Sequence, residues 1–379
     1  MTDTSWAWRD GWEAAWQPVI DLIDQDFSEG ERVSAADDVE KATIRRYLEP
    51  LEFGCPLHYD EAAARANGYR GILAPYSGIS QTWTDQGQWH PGQPSNYPTA
   101  DPNANGIRRA ADAAGRPVPS PDTTAGFATD IEIEYFEPVC VGDHLTYSGR
   151  KLLSVVPRET SVGRGAFMVW QREVHNQRGE LVAQLRNGGY QYVPKPREEG
   201  AASATSAPSA PRVVAPIMEP APAPHAAGLT PVAPDWSTQR YFEDVNEGDE
   251  VPPVIFPMTV FRLVVEAGAN RDFNQIHHNT PVTQASGAPD MYANNGFIQG
   301  MWERTVREYI GLGGRFKKTG PFRMKIFNNV GETVVTKGTV KRKWVEDGEH
   351  LVELEIVSEH SRGASVGPGP VVVSLPSRG

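Results

Sequence analysis

At 379 residues the chain is long enough for two ordinary domains, each able to bury a core of its own. A formal charge of −12 leaves no general basic face for nucleic acid, and the longest apolar runs are too short to span a bilayer, so neither nucleic acid nor membrane is an expected partner. Two cysteines, Cys55 and Cys140, give neither a disulfide framework nor metal-ligand spacing, so no metal is expected and a reduced, cytoplasmic setting is the simplest.

The opening MTDTSWAWRDGW has no basic region followed by an apolar stretch, so no secretory signal is expected. In the first half, FGCPLHYD (53–60) leads to the Gly-containing turn YRGILAPYSG, and SGISQTWTD (77–85) reads as a helix. Residues 88–127 are rich in Pro, Gly and Asn and too long for a simple connection. There Trp83, Trp89 and Tyr97 are candidates to line a pocket for an acyl group larger than a short straight chain, or the loop covers a dimer interface. IEIEYFEP, HLTYSGRKLLSVV, GAFMVWQREVHN and LVAQLRNGGYQYVP then read as successive strands.

Residues 196–235 are Ala, Pro and Ser rich without apolar periodicity, which predicts a linker between domains 1–195 and 236–379. Beyond it the plan repeats. RDFNQIHHN stands where FGCPLHYD stood, and FRMKIFNNVGETVVTKG (322–338) answers EIEYFEPVCVGDHLTYSG (132–149). GMWERTVREYIG carries Trp302, Val306 and Tyr309 on one helical face with Glu303 and Arg307 paired at i, i+4. One helix followed by consecutive antiparallel strands, twice over, predicts an α+β protein made of two copies of one fold.

The chemistry-bearing residues crowd into NRDFNQIHHN (270–279), directly after the apolar run TVFRLVVEAGA. Asp272 and His277, five apart, point about 140° away from each other on a continuous helix. They converge only if the helix stops near Phe273 and the chain bends through Asn274 and Gln275, with Phe273 and Ile276 turned inward. A carboxylate and an imidazole over one cleft can position and activate water or exchange a proton with carbon. The pair alone fits equally a turn capped by Asp272 with His277 packed beneath it. NNGFIQGMW (294–302) offers a helix N-terminus whose free N–H groups could hold a developing oxyanion, although its glycines also suit close packing.

R-D-F-N-Q-I-H resembles the D-x-N-P-[LI]-H signature of (R)-specific enoyl-CoA hydratases and MaoC-like dehydratases. YFEDVNEGDEVPP (241–253) resembles the opening of such domains, and YRGILAP (69–75) the N-terminal domain of their two-domain members. The resemblance implies a double hotdog, two copies each of a long central helix wrapped by an antiparallel sheet. It implies reversible addition of water to a trans-2-enoyl thioester, with Asp272 and His277 as the acid–base pair, the backbone of Gly300 as oxyanion donor and Asn274 as loop support. CoA is then the carrier of the substrate, with no further cofactor. Arg323 and Lys325 are candidates for its phosphates, with Arg315, Lys317, Lys318 and 341–343 as further ones.

This sequence departs from the pattern at Gln275 (Pro in the family), Arg271 (Gly) and Gln299 (His), and the stretch from His277 to Gly300 is about five residues longer than in compact members. Five residues before His58 stands Phe53, with Glu52 one position off, so the first copy is expected to be non-catalytic and to shape the acyl tunnel. Hotdog sheets commonly pair, so a homodimer or hetero-oligomer is expected. Acyl-CoA thioesterase activity and a non-catalytic acyl-binding subunit are the competing readings.

Overall fold

The computed structural model describes residues 3–87, 89–101, 104, 115–195, 220–230 and 233–379. Ten strands form one antiparallel sheet: β1 (Arg32–Ser34), β2 (Ala125–Tyr135), β3 (Thr146–Glu159), β4 (Gly163–His175), β5 (Leu181–Pro194), β6 (Glu250–Pro257), β7 (Arg315–Arg323), β8 (Thr333–Glu346), β9 (Glu349–His360) and β10 (Gly363–Ser374). Their order is β1-β3-β4-β5-β2-β7-β10-β9-β8-β6, so the second half repeats the strand order of the first in mirror sequence across the sheet. The halves join where β2 meets β7 antiparallel, with Ile131 opposite Phe322 and Ile133 opposite Thr319. Alternating burial along β2 and β9 shows the cause: one face of each strand covers the core while the other carries charge.

Among the described residues six α-helices lie outside the sheet: α1 (Gln17–Ile20), α2 (Lys41–Leu48), α3 (Glu61–Ala66), α4 (Val260–Ala269), α5 (Thr280–Ala285) and α6 (Asn295–Ile310). From α2 to the start of α6 the two copies are offset by 219 residues (58 to 277, 73 to 292), so that α2 and α3 match α4 and α5. α6 is the long central helix. It is buried around almost its whole circumference, since both half-sheets and the turns of the first half enclose it. The expected pairing of Glu303 with Arg307 on an exposed face is therefore not formed. Arg307 instead donates to the carbonyls of Gly311 (3.0 Å) and Gly314 (2.6 Å).

The first half has no counterpart of α6 among the described residues. The segment expected as a helix forms two 3₁₀ turns, Tyr76–Ser80 and Thr82–Thr84. Trp83 folds back to donate from Nε1 to the Pro75 carbonyl (2.7 Å), and its ring fills the space that a Cβ on Gly78 would need. This tertiary contact overrides the local helical pattern. Trp89 and Tyr97 are exposed and Trp83 is buried, and none of the three lines the cavity between the turns at 79–87 and β3, β4 and β5, so that cavity does not show the pocket role expected of them. Residues 196–219 of the expected linker lie outside the described residues. Its later part lies against the second copy, with Ala221 donating to the Gly331 carbonyl and the His225 ring to that of Thr333.

Candidate active site

α4 ends one turn earlier than its sequence suggests. Its cap is Asn270, and Arg271 then takes a left-handed conformation (φ 58°), which reverses the chain before Asp272. Glycine adopts such a conformation without strain, whereas arginine does so at a cost. The arginine is held by an ion pair to Asp85 (3.1 Å) and lies over the Phe273 ring (5.0 Å). Phe273 is 39% exposed, so the expected inward anchor is not one. The second bend is a 3₁₀ turn, Gln275–His277, whose N-cap Asn274 accepts from the Ile276 N–H (3.4 Å); this is the loop-holding role expected of Asn274.

The two bends bring Asp272 and His277 together. His277 Nε2 lies 3.5 Å from Asp272 Oδ2, with the imidazole buried and the carboxylate largely so. His277 Nδ1 donates to the Tyr292 carbonyl (2.8 Å). A carbonyl only accepts, so the proton sits on Nδ1, and in the neutral ring Nε2 faces the carboxylate as an acceptor. Tyr292 itself donates from its backbone N–H to Ile276 (3.3 Å) and stacks on Phe327 (4.1 Å), which fixes the ring from behind. Beside it His278 is half-buried, and burial lowers its pKa against the opposing charge of Asp272.

Two residues beyond Tyr292 the chain enters α6. Asn294 caps it, its side chain accepting from Phe297 N (2.8 Å), and the first helical bond runs from Ile298 N to Asn294 O. The N–H groups of Asn295 and Gly296 thus precede the helical ladder. Gly300 lies deeper, in the helix interior. A Cβ there would meet Leu51 at 2.6 Å, so this glycine lets the two halves pack closely, and the N-terminal end of α6 is formed by Asn295 and Gly296. The excess spacing noted between His277 and Gly300 shrinks accordingly.

A buried polar cluster steadies this helix end. Glu266 of α4 accepts from Asn294 N (3.0 Å) and from Asn270 Nδ2 (3.3 Å), Asn270 Nδ2 also donates to Asn294 Oδ1 (3.2 Å), and Thr82 of the first half donates to Asn270 Oδ1 (3.2 Å). Burial pushes the Glu266 carboxyl up to about 8. Sequence reading passed over Glu266 because a lone Glu in an apolar helix gives no signal of its partners.

The first copy shows the same framework without the carboxylate. His58 Nδ1 donates to the Leu73 carbonyl (2.7 Å), as His277 does to Tyr292. Phe53 stands in the place of Asp272, its ring edge-on to the imidazole (5.0 Å). Burial lowers the pKa of His58 to about 3, and its Nε2 has no hydrogen-bond partner. Glu52 occupies the place of Arg271, with φ 50°, and pairs with Arg262 (2.6 Å), away from His58. Tyr76 and Ser77, which match Asn295 and Gly296, donate their N–H groups to the Glu303 carboxyl of α6 (2.8 and 2.7 Å), and Ser77 Oγ adds a third contact (2.5 Å). The helix-end donors of this copy are already occupied.

The candidate phosphate contacts are mostly engaged. Arg323 pairs with Asp130 (3.2 Å), Lys317 with Glu349 (2.6 Å) and Lys318 with Glu132 (3.0 Å). Lys341 pairs with Glu355 (2.9 Å) and Arg342 with Glu353 (2.8 Å), whereas Lys343 donates to the Phe242 carbonyl and Arg315 lies over Tyr69. Lys325 is exposed, makes no ion pair among the described residues and lies two positions before Phe327. No group of metal-ligating side chains occurs among the described residues, and no described helix is long and apolar enough to cross a membrane.

Residues 30–93 and 102–185 match the family model of the FAS1-like dehydratase domain region. A probable enoyl-CoA hydratase alpha subunit from Thermomonospora curvata is 32% identical over 173 residues, 45% of this chain and 50% of that protein. The 3-oxo-4,17-pregnadiene-20-carboxyl-CoA hydratase alpha subunit of Mycobacterium tuberculosis is 30% identical over 145 residues, 36% of this chain and 41% of that protein. The chain thus spans half or less of the curated relatives it matches. A solved MaoC-like dehydratase superposes with a TM-score of 0.62 at 18% identity, covering 92% of this chain and 99% of that one. With its repeated half-sheets, the chain has the double-hotdog fold of these structures, and its first half matches the FAS1-like dehydratase region.

Proposed function

We propose that the protein is a hydro-lyase that adds water reversibly to a trans-2-enoyl-CoA, and that its second half carries the chemistry. The observation that supports this most directly is the Asp272–His277 pair, with Nε2 turned to the carboxylate by the Tyr292 carbonyl. In this reading a water is held between the pair. Its oxygen bonds to the β-carbon as Nε2 takes one of its protons, and Asp272 stabilises the imidazolium formed. The electron pair of the C=C bond moves to the thioester oxygen, where the N–H groups of Asn295 and Gly296 receive it. The imidazolium then gives that proton to the α-carbon, which completes the 3-hydroxyacyl thioester and restores the neutral ring. Gly296 thus takes the role expected of Gly300. The reverse sequence dehydrates.

Lys325 is the phosphate contact we favour over Arg323, whose charge is already paired. Both curated relatives are named as alpha subunits, so a second chain beside this one belongs to the proposal. The Mycobacterium tuberculosis relative is named for a steroid acyl thioester. The cavity beside Arg271, about 330 Å³, stands at the small end of ligand pockets and favours a compact acyl group instead.

The experiment is loss of the conjugated enoyl-thioester absorbance across a panel of 2-enoyl-CoAs, with chiral analysis of the product. Release of free thiol from saturated acyl-CoAs would point to a thioesterase. Full retention of a complex's activity by Asp272→Asn and His277→Ala would make the chain a binding subunit. Silence across the panel, alone and with any co-purified partner, would refute the hydratase reading.

A further inference from the structure

The cavity beside Arg271 is not built for an alkyl tail. It lies in the first half, between the turns at 79–87 and the inner side of β3, β4 and β5. Its apolar wall is small (Ile79, Val174 and Leu185), and most of the remaining lining is polar, including Tyr147, Gln86 and Asn187. In a chain of formal charge −12 it presents two arginines, Arg172 and Arg271, against a single carboxylate, Asp85. That carboxylate is bound to Arg271. Arg172 pairs with no carboxylate among the described residues. Its guanidinium lies over the Tyr147 ring (5.2 Å), and the Tyr147 hydroxyl accepts from Gln86 Nε2 (3.0 Å). Arg172 is exposed, which places it at the mouth of the cavity.

The cavity adjoins the reaction site through the chain. Arg271, which lines it, is the residue immediately before Asp272. Ser80 of the lining accepts from Gln299 of α6 (3.2 Å). An alkyl chain entering this space would strip water from an unpaired guanidinium and several amides without replacing the lost hydrogen bonds. A carboxylate would meet the guanidinium with two parallel charged hydrogen bonds.

Resting on the acyl-thioester reading above, we propose that the substrate is the CoA monothioester of a dicarboxylic acid, its free carboxylate held by Arg172 beside Tyr147 and Gln86. Arg271 keeps Asp85 neutralised, so that the same space does not repel the incoming charge.

The experiment measures equilibrium binding of saturated, unreactive thioesters to the full-length protein, with any chain that co-purifies. Glutaryl-, adipoyl- and suberoyl-CoA are compared with pentanoyl-, hexanoyl- and octanoyl-CoA, pairs that differ only in the terminal group. The carboxyl-terminated member of at least one pair is expected to bind about tenfold tighter or better, and Arg172→Gln to shrink that ratio to within about threefold, with Arg172→Lys intermediate. Thermal melting checks that the variants fold. Equal or tighter binding of the alkyl thioesters, no binding of the dicarboxylic ones, or a preference that survives Arg172→Gln overturns the proposal. Turnover of 2-enoyl-CoAs with an alkyl preference would sink this inference and leave the hydratase reading standing. A carboxylate preference in binding without turnover of any enoyl thioester would do the opposite.

Discussion

Glu266 is fully buried in α4 and its carboxyl titrates near 8, with desolvation as the main cause and the like charge of Asp272 adding to it. The folded protein therefore holds this proton more tightly than the unfolded chain, whose glutamate titrates near 4.5. Stability contributed by the neutral carboxyl is complete below pH 4.5 and is lost as pH rises through about 8. The difference between those two values corresponds to on the order of 4–5 kcal/mol, a large part of what a domain commonly has. Glu266→Gln keeps an acceptor for Asn294 N and removes the titration. It also turns an NH₂ toward Asn270, which adds an offset that does not vary with pH. Urea unfolding of both proteins from pH 5 to pH 9 is the assay. The variant is expected to gain steadily on the wild type through this range. Parallel curves, with a constant difference at every pH, would refute the reasoning.

Asp272→Asn and His277→Ala are each expected to lower kcat for enoyl-CoA hydration by about 100-fold or more, while His58→Ala spares kcat and costs about 1–3 kcal/mol of stability in denaturant titration. Gly300→Ala forces a methyl onto Leu51 and is expected to cost about 1–3 kcal/mol, part of it recovered by the double variant Gly300→Ala/Leu51→Ala. A fall in kcat without a fall in stability would return Gly300 to the oxyanion role. Glu303→Ala leaves the N–H groups of Tyr76 and Ser77 buried without their acceptor, an expected loss of about 3–6 kcal/mol by urea unfolding, and Glu303→Gln should lose clearly less. An unchanged midpoint for Glu303→Ala would show that water serves those donors equally well.

The repeat was legible because its two most constrained pieces, the turn around PLH or QIH and the V-G-Asp/Glu entry to a strand, are short and local. The pairing of Asp272 with His277 was legible for the same reason: their offset is incompatible with a helix and compatible with a bend. The place of the bend was not, because an arginine at a left-handed position carries no signature, whereas the glycine it replaces would. SGISQTWTD misled because its fate is decided by Trp83 closing onto Pro75, a contact invisible to periodicity. Gly296 and Gly300 are one helical turn apart, and only the cap at Asn294 tells which of them stands at the helix end. Asn-Asn before the glycine was the available signal. Glu303 reaches across to a turn 226 residues away, a distance no local pattern encodes.

That reach shapes what the protein can become. On the proposed reading the first copy lacks more than an aspartate, since the N–H groups of its turn are filled by a carboxyl supplied by the other copy. Restoring an acid at position 53 would give His58 a partner and still leave no place for a thioester oxygen. Vacating that place by altering Glu303 would loosen the joint between the copies before any activity returned. Each single step back is a loss, so the division of labour between the duplicated halves behaves as a ratchet.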